Sequence, residues 1–298
     1  MGLLDKISRV FGQNTPDKLN YKEDLLSSLL VMAWVVEARD PYTGGHLWRV
    51  SRMSRLLATD MKLPAADISR ITIGGFLHDL GKVGVPDQIL NKRGPLSDEE
   101  YEVIKTHPDV GWRMIASHPL SSLIEASIRS HHEKPDGKGY PRGLGGEEIP
   151  MDARIVGVCD AFDAMTSTRS YRKGMPIEKA LSIIQDNLGC QFDQAIGERF
   201  IALGQAGALD HIVGHSDEGI PLHECAMCGP TLVIRKDQHA GNHAYCRSCS
   251  GEYKIDEKDG KVSVEMTGKM GRPQDLEPDV DTDLIARVVK DSVQELVI

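Results

Sequence analysis

Seven side chains with metal-binding donors stand on separate predicted helices: His46, the pair His78-Asp79, His107, the pair His131-His132, and Asp160. Imidazole nitrogen mixed with carboxylate oxygen suits iron, manganese or zinc better than calcium or soft copper. Seven donors exceed one tetrahedral sphere, so two ions is the natural number. Neighbouring residues on a helix point about 100° apart, so His78 and Asp79 can serve one cluster only if the helix end abuts it. A lone helical histidine is ordinarily a surface or satisfied core residue, and His118 is read that way. The chain has eleven histidines, so the set gains meaning only with its sequence surroundings.

A second donor set is Cys225-x-x-Cys228 and Cys246-x-x-Cys249, separated by seventeen residues. That is zinc-ribbon spacing, in which four thiolates close a structural site. A module this small has little core, so the metal supplies folding energy. A thiol redox pair is the competing reading. His223, His239 and His243 lie nearby but are not needed. Cys159 and Cys190 read as buried apolar residues. Losing the module is expected to spare most of the chemistry elsewhere.

The first two-thirds reads as an all-α bundle that must carry the imidazoles inward. A short amphipathic helix precedes Asn14-Thr15-Pro16. The next runs to about Arg39, with Leu26, Leu29, Leu30, Ala33, Val36 and Glu37 on or beside one face. Helices follow at about Gly44–Met61 and Ala65–Leu80. Ser97 opens a capping box for a helix reaching about Ala116. Others cover about Leu120–His132, Asp152–Ser167, Ile177–Asn187 and Asp193–Gln205. Residues 133–149, rich in glycine and proline, form a loop. The texture changes after Gly204, where Leu232-Val-Ile-Arg and Lys261-Val-Ser-Val-Glu look like short strands. The expected organisation is an N-terminal segment at 1–20, a helical domain at 21–205 and a β-rich module at 218–268. An acidic linker at 269–283 and an amphipathic helix at 284–298 follow. That last helix packs on its own chain or meets a partner or a second copy.

Composition sets limits. The 298 residues are 40% apolar and 27% charged, with net charge −9. An acidic chain offers no general field for nucleic acid or anionic membrane, so a bound phosphate must meet a local basic cluster. No secretory h-region is visible in Met1–Asn20, and Leu25–Val36 is too short to span a bilayer. With C-x-x-C pairs and no export signal, a cytoplasmic protein is expected.

The surroundings of the histidines are distinctive. They are Phe76-Leu-His-Asp-Leu-Gly-Lys-Val-Gly-Val-Pro86, Lys105-Thr-His-Pro108 and His131-His-Glu-Lys-Pro-Asp-Gly-Lys-Gly-Tyr-Pro141. Then comes Ala153-Arg-Ile-Val-Gly-Val-Cys-Asp-Ala-Phe-Asp-Ala-Met-Thr-Ser-Thr-Arg-Ser-Tyr-Arg172. In this order, over about residues 21–205, they resemble the HD-GYP family, a branch of the HD-domain metal-dependent phosphohydrolases. The resemblance implies an all-α HD-type bundle and hydrolysis of cyclic di-GMP to linear pGpG, with onward cleavage to GMP left open. It implies that His46, His78, Asp79 and Asp160 hold one metal, Fe or Mn. Asp79 would bridge to a second, completed by His107, His131 and His132, with the attacking hydroxide between them. It also gives Lys82 a contact with the scissile phosphate. Family members with a third metal place Glu where this chain has Tyr42, within Asp40-Pro-Tyr-Thr-Gly-Gly-His46. Two metals are therefore expected, with Glu37 the only nearby substitute acid.

For substrate the resemblance points to Arg169 and Arg172, which match an R-x-Y-R element. Guanidinium forks suit phosphate oxygens. It also points to Asp163, one turn after Asp160, and to Asp40. Tyr140, in the loop that carries the family name, could touch substrate or anchor the loop. Glu133 could orient an imidazole. Two other functions stay open: hydrolysis of another cyclic dinucleotide, and a metal-bearing nucleotide sensor or scaffold without turnover. Candidate protein contacts are the Gly-Tyr-Pro loop, the ribbon and the C-terminal helix, with a homodimer among them. Neither nucleic acid nor membrane is expected as a partner.

Overall fold

The computed structural model describes residues 18–39, 44–92, 94–168, 172–229, 231–258, 261–277 and 280–296. The expected helix before Asn14, and Asp40, Tyr42 and Arg169 of the expected site, lie outside the described residues.

Helix α1 spans Lys18–Glu37, α2 His46–Asp60 and α3 Ala65–Leu77. The apolar stripe expected on α1 is buried: Leu26, Leu29, Leu30, Ala33 and Val36 all lie in the main core. Helix α3 ends three residues before the expected Leu80. A tighter 3-10 turn, Leu80–Gly84, follows it, then the one-turn α4, Asp87–Leu90.

The helix expected at 97–116 is two helices. Helix α5 (Asp98–Ile104) begins with the anticipated capping box, Ser97 Oγ accepting from Glu100 N and Glu100 Oε2 from Ser97 N. Helix α6 (His107–Ile115) restarts with Pro108 in its first turn. Proline has no N–H to continue a helix but suits a start, which explains the break. Helix α7 (Ser121–Ser130), a loop, α8 (Met151–Thr166), α9 (Ile177–Asp186) and α10 (Gln194–Gln205) complete the bundle. Helix α3 sits centrally, packing on α2, α7 and α8.

Among the described residues, strands begin at His215. Three small antiparallel sheets follow: β1 (His215–Asp217) with β2 (Ile220–Pro221), β3 (His223–Glu224) with β4 (Thr231–Leu232), and β5 (His243–Tyr245) with β6 (Gly251–Lys258) and β7 (Lys261–Met270). The module starts three residues before the expected 218. Strand β7 runs past the expected boundary, and Pro273–Leu276 is a 3-10 turn, not extended chain. The module buries two small clusters, Ile220, Ile234, Ala244 and Ile255 in one, Cys225, Leu232, Cys246 and Tyr253 in the other.

The final helix α11 (Thr282–Val293) is capped by Asp281, whose carboxylate accepts from Leu284 N. Its stripe of Leu284, Ile285, Val289 and Val293 is buried against α1 and α3, so it packs on its own chain. No described helix is long and apolar enough to cross a membrane.

Candidate metal centre

His78 is the residue that ends α3, and Asp79 opens the 3-10 turn. The change of helical pitch between them lets both side chains enter one pocket. Asp79 Oδ2 lies 3.3 Å from His78 Nε2 and 3.3 Å from His46 Nε2. Asp160, from the middle of α8, brings Oδ1 to 3.5 Å from His46 Nε2 and 3.7 Å from His78 Nε2. The other oxygen, Asp79 Oδ1, faces His107 Nε2 at 3.4 Å. His107, His131 and His132 form a second donor group, from the start of α6 and the end of α7. Gly81 makes this closeness feasible, since a Cβ there would lie 1.8 Å from the His107 carbonyl oxygen.

The donor chemistry fits cations. His78 Nδ1 lies 2.8 Å from Gly75 O, His107 Nδ1 2.8 Å from Ile104 O, and His131 Nδ1 2.7 Å from Ser127 O. A carbonyl only accepts, so each Nδ1 carries the proton and each Nε2 presents a lone pair when the ring is neutral. His107 Nε2 and His131 Nε2 then face each other at 3.2 Å. Two lone pairs at that distance repel unless a cation or proton lies between them. The buried Nε2 atoms of His46 and His78 have no hydrogen-bond partner among the described residues. A buried polar atom left so is costly, and a coordinated ion removes the cost.

The two halves differ electrostatically. Burial opposes charge on His46 and His78, but their carboxylate neighbours outweigh it: His46 rises, and His78 rises to about 10. Burial also opposes charge on Asp79 and Asp160, yet both are held well below the usual carboxylate range, by Lys82 and His78 for Asp79 and by His78 and His46 for Asp160. Burial dominates in the other half. It pushes His107 down to about 4 and His132 to about 3, and His131 falls well below its ordinary value.

All seven predicted donors therefore meet. Lys82 stands at the same place, its Nζ 2.6 Å from Asp79 Oδ2. Arg39 braces the turn that carries it, donating to the Lys82, Val83 and Val85 carbonyls. A cavity of about 530 Å³ opens beside His132 and Asp160, with Tyr101, Lys105, Lys138 and Tyr140 also on its wall. Tyr140 stacks on His132 with ring centroids 4.7 Å apart, and burial raises its phenol above the ordinary value.

Other expectations need correction. Asp163, expected to face substrate, is 1% exposed and turned to protein partners: Arg49 Nε donates to its Oδ1 at 2.5 Å, and His46 Nδ1 lies 2.7 Å from its Oδ2. Arg172 directs its Nη atoms to the carbonyls of Ala164, Met165 and Lys173, closing the C-terminal end of α8. Glu133, expected to orient an imidazole, instead accepts from Arg142 N and Leu144 N with its two oxygens and so shapes the loop. Glu37 Oε1 accepts from Leu47 N at 3.0 Å, satisfying a donor at the start of α2. Cys159 is buried, as expected, but Cys190 is exposed. Arg39 and Arg49 were not singled out in the sequence. Arg49 had a signal, one helical turn beyond His46 just as Asp163 is one turn beyond Asp160.

In the C-terminal module, Cys225 Sγ lies 3.5 Å from Cys249 Sγ and 3.6 Å from Cys228 Sγ, and Cys228 Sγ lies 3.5 Å from Cys246 Sγ. Four sulfurs around a tetrahedral zinc, each about 2.3 Å from it, would be about 3.8 Å apart, so the pocket is close to zinc-sized. Tyr253 Oη, 3.1 Å from Cys225 Sγ, helps draw that thiol down to about 6 against the effect of burial.

A helical bundle that projects histidines and aspartates into one pocket is the architecture of a metal-dependent hydrolase-type site. The model of the HD domain family matches residues 31–196, more than half of the chain. The chain belongs to this family, in the HD-GYP branch whose name its own Gly139-Tyr140-Pro141 spells.

Three relatives illustrate the likeness. A cyclic di-GMP phosphodiesterase of Thermotoga maritima is 37% identical over 185 residues, 61% of this chain and 50% of that protein. A 3'3'-cGAMP-specific phosphodiesterase 3 of Vibrio cholerae is 38% identical over 172 residues, 58% of this chain and 37% of that protein. The cyclic di-GMP phosphodiesterase response regulator RpfG of Xanthomonas campestris pv. campestris is 37% identical over 164 residues, 54% of this chain and 43% of that protein. The chain spans half or less of the length of these curated relatives.

Proposed function

We propose that the chain is a metal-dependent phosphodiesterase that opens cyclic di-GMP to linear pGpG. The observation that carries this reading is the Asp79 carboxylate, which faces one donor set with each oxygen. His46, His78, Asp79 and Asp160 would hold one divalent ion, Fe or Mn, and Asp79, His107, His131 and His132 a second. Bound ions would supply an activated water and neutralise phosphate charge. The chain's own groups position the reaction. Lys82 brings an ammonium to the edge of the site, where it would pair with a non-bridging phosphate oxygen. The carbonyls behind His78, His107 and His131 fix the tautomer that each ring presents. Tyr140 and Lys105 line a cavity whose size suits a small organic ligand. Arg169 and Asp40 are proposed to complete substrate binding.

The four cysteines are proposed to hold a structural zinc in a ribbon fold, and the site of action to be the cytoplasm. Partners beyond the substrate would meet the Gly-Tyr-Pro loop or the ribbon.

Product chromatography after incubation with Mn or Fe and cyclic di-GMP tests the proposal; accumulation of pGpG supports it. The 3'3'-cGAMP-specific relative favours a second reading, cleavage of a mixed cyclic dinucleotide, and competition between the two substrates decides between them. Tight binding of either without any product would instead indicate a sensor.

A further inference from the structure

We infer that Arg49 is a positioning residue of the metal centre, and that through it the C-terminal module becomes part of that centre. The inference rests on the metal-binding reading above, but not on turnover. Arg49 is among the largest fully enclosed side chains, 1% exposed. Its fork closes on Asp163, with Nε 2.5 Å from Oδ1 and Nη2 3.1 Å from Oδ2. Asp163 Oδ2 also meets His46 Nδ1 at 2.7 Å. His46 is the one described ligand of its half whose Nδ1 rests on a side chain, where His78 uses a backbone carbonyl. The carboxylate can turn; the carbonyl behind His78 is fixed by its helix. The guanidinium grips both oxygens of Asp163, and Ser167 Oγ adds a longer bond to Oδ2 at 3.3 Å, so Arg49 is the main restraint on the rotation of Asp163 and hence of His46.

Nη2 also donates to Ser167 Oγ at 3.1 Å, and Nη1 reaches the module. Nη1 donates to Gly44 O at 2.9 Å and to His215 O, on β1, at 2.8 Å. Ser216 presses against the residue before His46: a Cβ on Gly45, whose φ is +74°, would stand 2.5 Å from Ser216 Cα. Further contacts seat the module on the same side. Arg247, between the second pair of cysteines, donates to Ala38 O, and Thr168 Oγ1 donates to Glu224 Oε1 at 3.1 Å. Strand β1 therefore supplies one of the two acceptors of Arg49 Nη1, and a displaced β1 leaves that side of the fork held by Gly44 O alone. A lysine would keep the charge but could not span Asp163, Gly44 and His215 together.

The test measures metal binding by the full chain, using Mn²⁺ as probe, in wild type, Arg49→Gln, Arg49→Lys, and Cys225→Ser with Cys228→Ser. Circular dichroism and thermal melting check that the helical bundle of each variant is folded. The expected result for Arg49→Gln is a roughly 10–100-fold weaker first ion, the range typical for groups behind a metal ligand. The second ion, on His107, His131 and His132, binds as in wild type. Arg49→Lys does not restore the first ion, and nitrogen NMR shows that His46 has lost its fixed Nδ1–H tautomer. The double cysteine variant weakens the same ion, and combining it with Arg49→Gln adds little. A merely structural role would lower both ions together or neither. Wild-type affinity for the first ion in folded Arg49→Gln overturns the inference, as does equal loss of both ions or a wild type that takes up no metal. Normal metal behaviour without hydrolysis would overturn the proposed activity and leave this inference standing.

Discussion

Asp79 Oδ1 lies 3.4 Å from His107 Nε2, and this approach joins the two halves of the candidate metal centre. The aspartate opens the 3-10 turn that follows α3, and the histidine starts α6. The contact exists because the 3-10 turn after Asp79 packs directly on α6.

Replacing the junction should therefore remove both ions. For His78→Ala with Asp79→Ala we expect turnover of cyclic di-GMP to fall below detection and metal content of the helical site to drop from two ions to less than one. Zinc on the four cysteines should persist. Elemental analysis beside a product assay checks this, and undiminished hydrolysis would be fatal to the assignment.

Proton release should distinguish the halves. A metal ion binds the neutral imidazole. His78, raised to about 10, holds a proton at neutral pH that the first ion must displace. Affinity there should rise with pH through the neutral range. His107 and His132, lowered to about 4 and about 3, are already neutral above those values. Their affinity should stay flat between about pH 5 and 9. Calorimetry of Mn²⁺ binding in buffers of different ionisation enthalpy would show the first ion releasing protons and the second releasing none. The reverse order would contradict this electrostatic asymmetry.

Arg172 should behave as a helix-closing residue. Arg172→Ala removes donors from the last carbonyls of α8. The site is half-exposed, so the expected loss is about 1 kcal/mol. That corresponds to a fall in Tm of roughly 2–4 °C. A large increase in KM with unchanged Tm would restore it as a substrate ligand.

The terminal helix should stabilise the bundle. Ile285 is fully buried, so Ile285→Ala should cost about 2–5 kcal/mol. Chemical denaturation measures it, and sedimentation should show the same oligomeric state as wild type. A change of assembly without loss of stability would mean that this face meets another copy.

Zinc removal should unfold the module. Its two clusters bury four residues each, too little to hold seven strands without a crosslink. After chelation, amides of 215–270 should exchange with solvent much faster, while those of α3 and α7 stay protected. Unchanged protection of β6 would show that the hydrophobic contacts suffice.

The chain's own residues determined much of this. Periodicity placed most helices within a few residues, and the motifs around the seven donors, through their resemblance to a family, marked the side chains that the fold brings together. Spacing also marked the four cysteines, since a C-x-x-C knuckle is local. Long-range pairing was not readable. Helical spacing sets Arg49 one turn beyond His46 and Asp163 one turn beyond Asp160, but it does not say that the two, 114 positions apart, pair. Nothing near Arg172 says that carbonyls of α8 meet its guanidinium before a phosphate does. The split of 97–116 at Pro108 was locally encoded, yet the capping box and continuous polarity masked it. Only the tertiary structure decided which of two neighbouring polar groups reaches the cavity and which is consumed in holding it. That choice depends on distances between helices far apart in the chain, where burial makes each unmatched donor or acceptor costly.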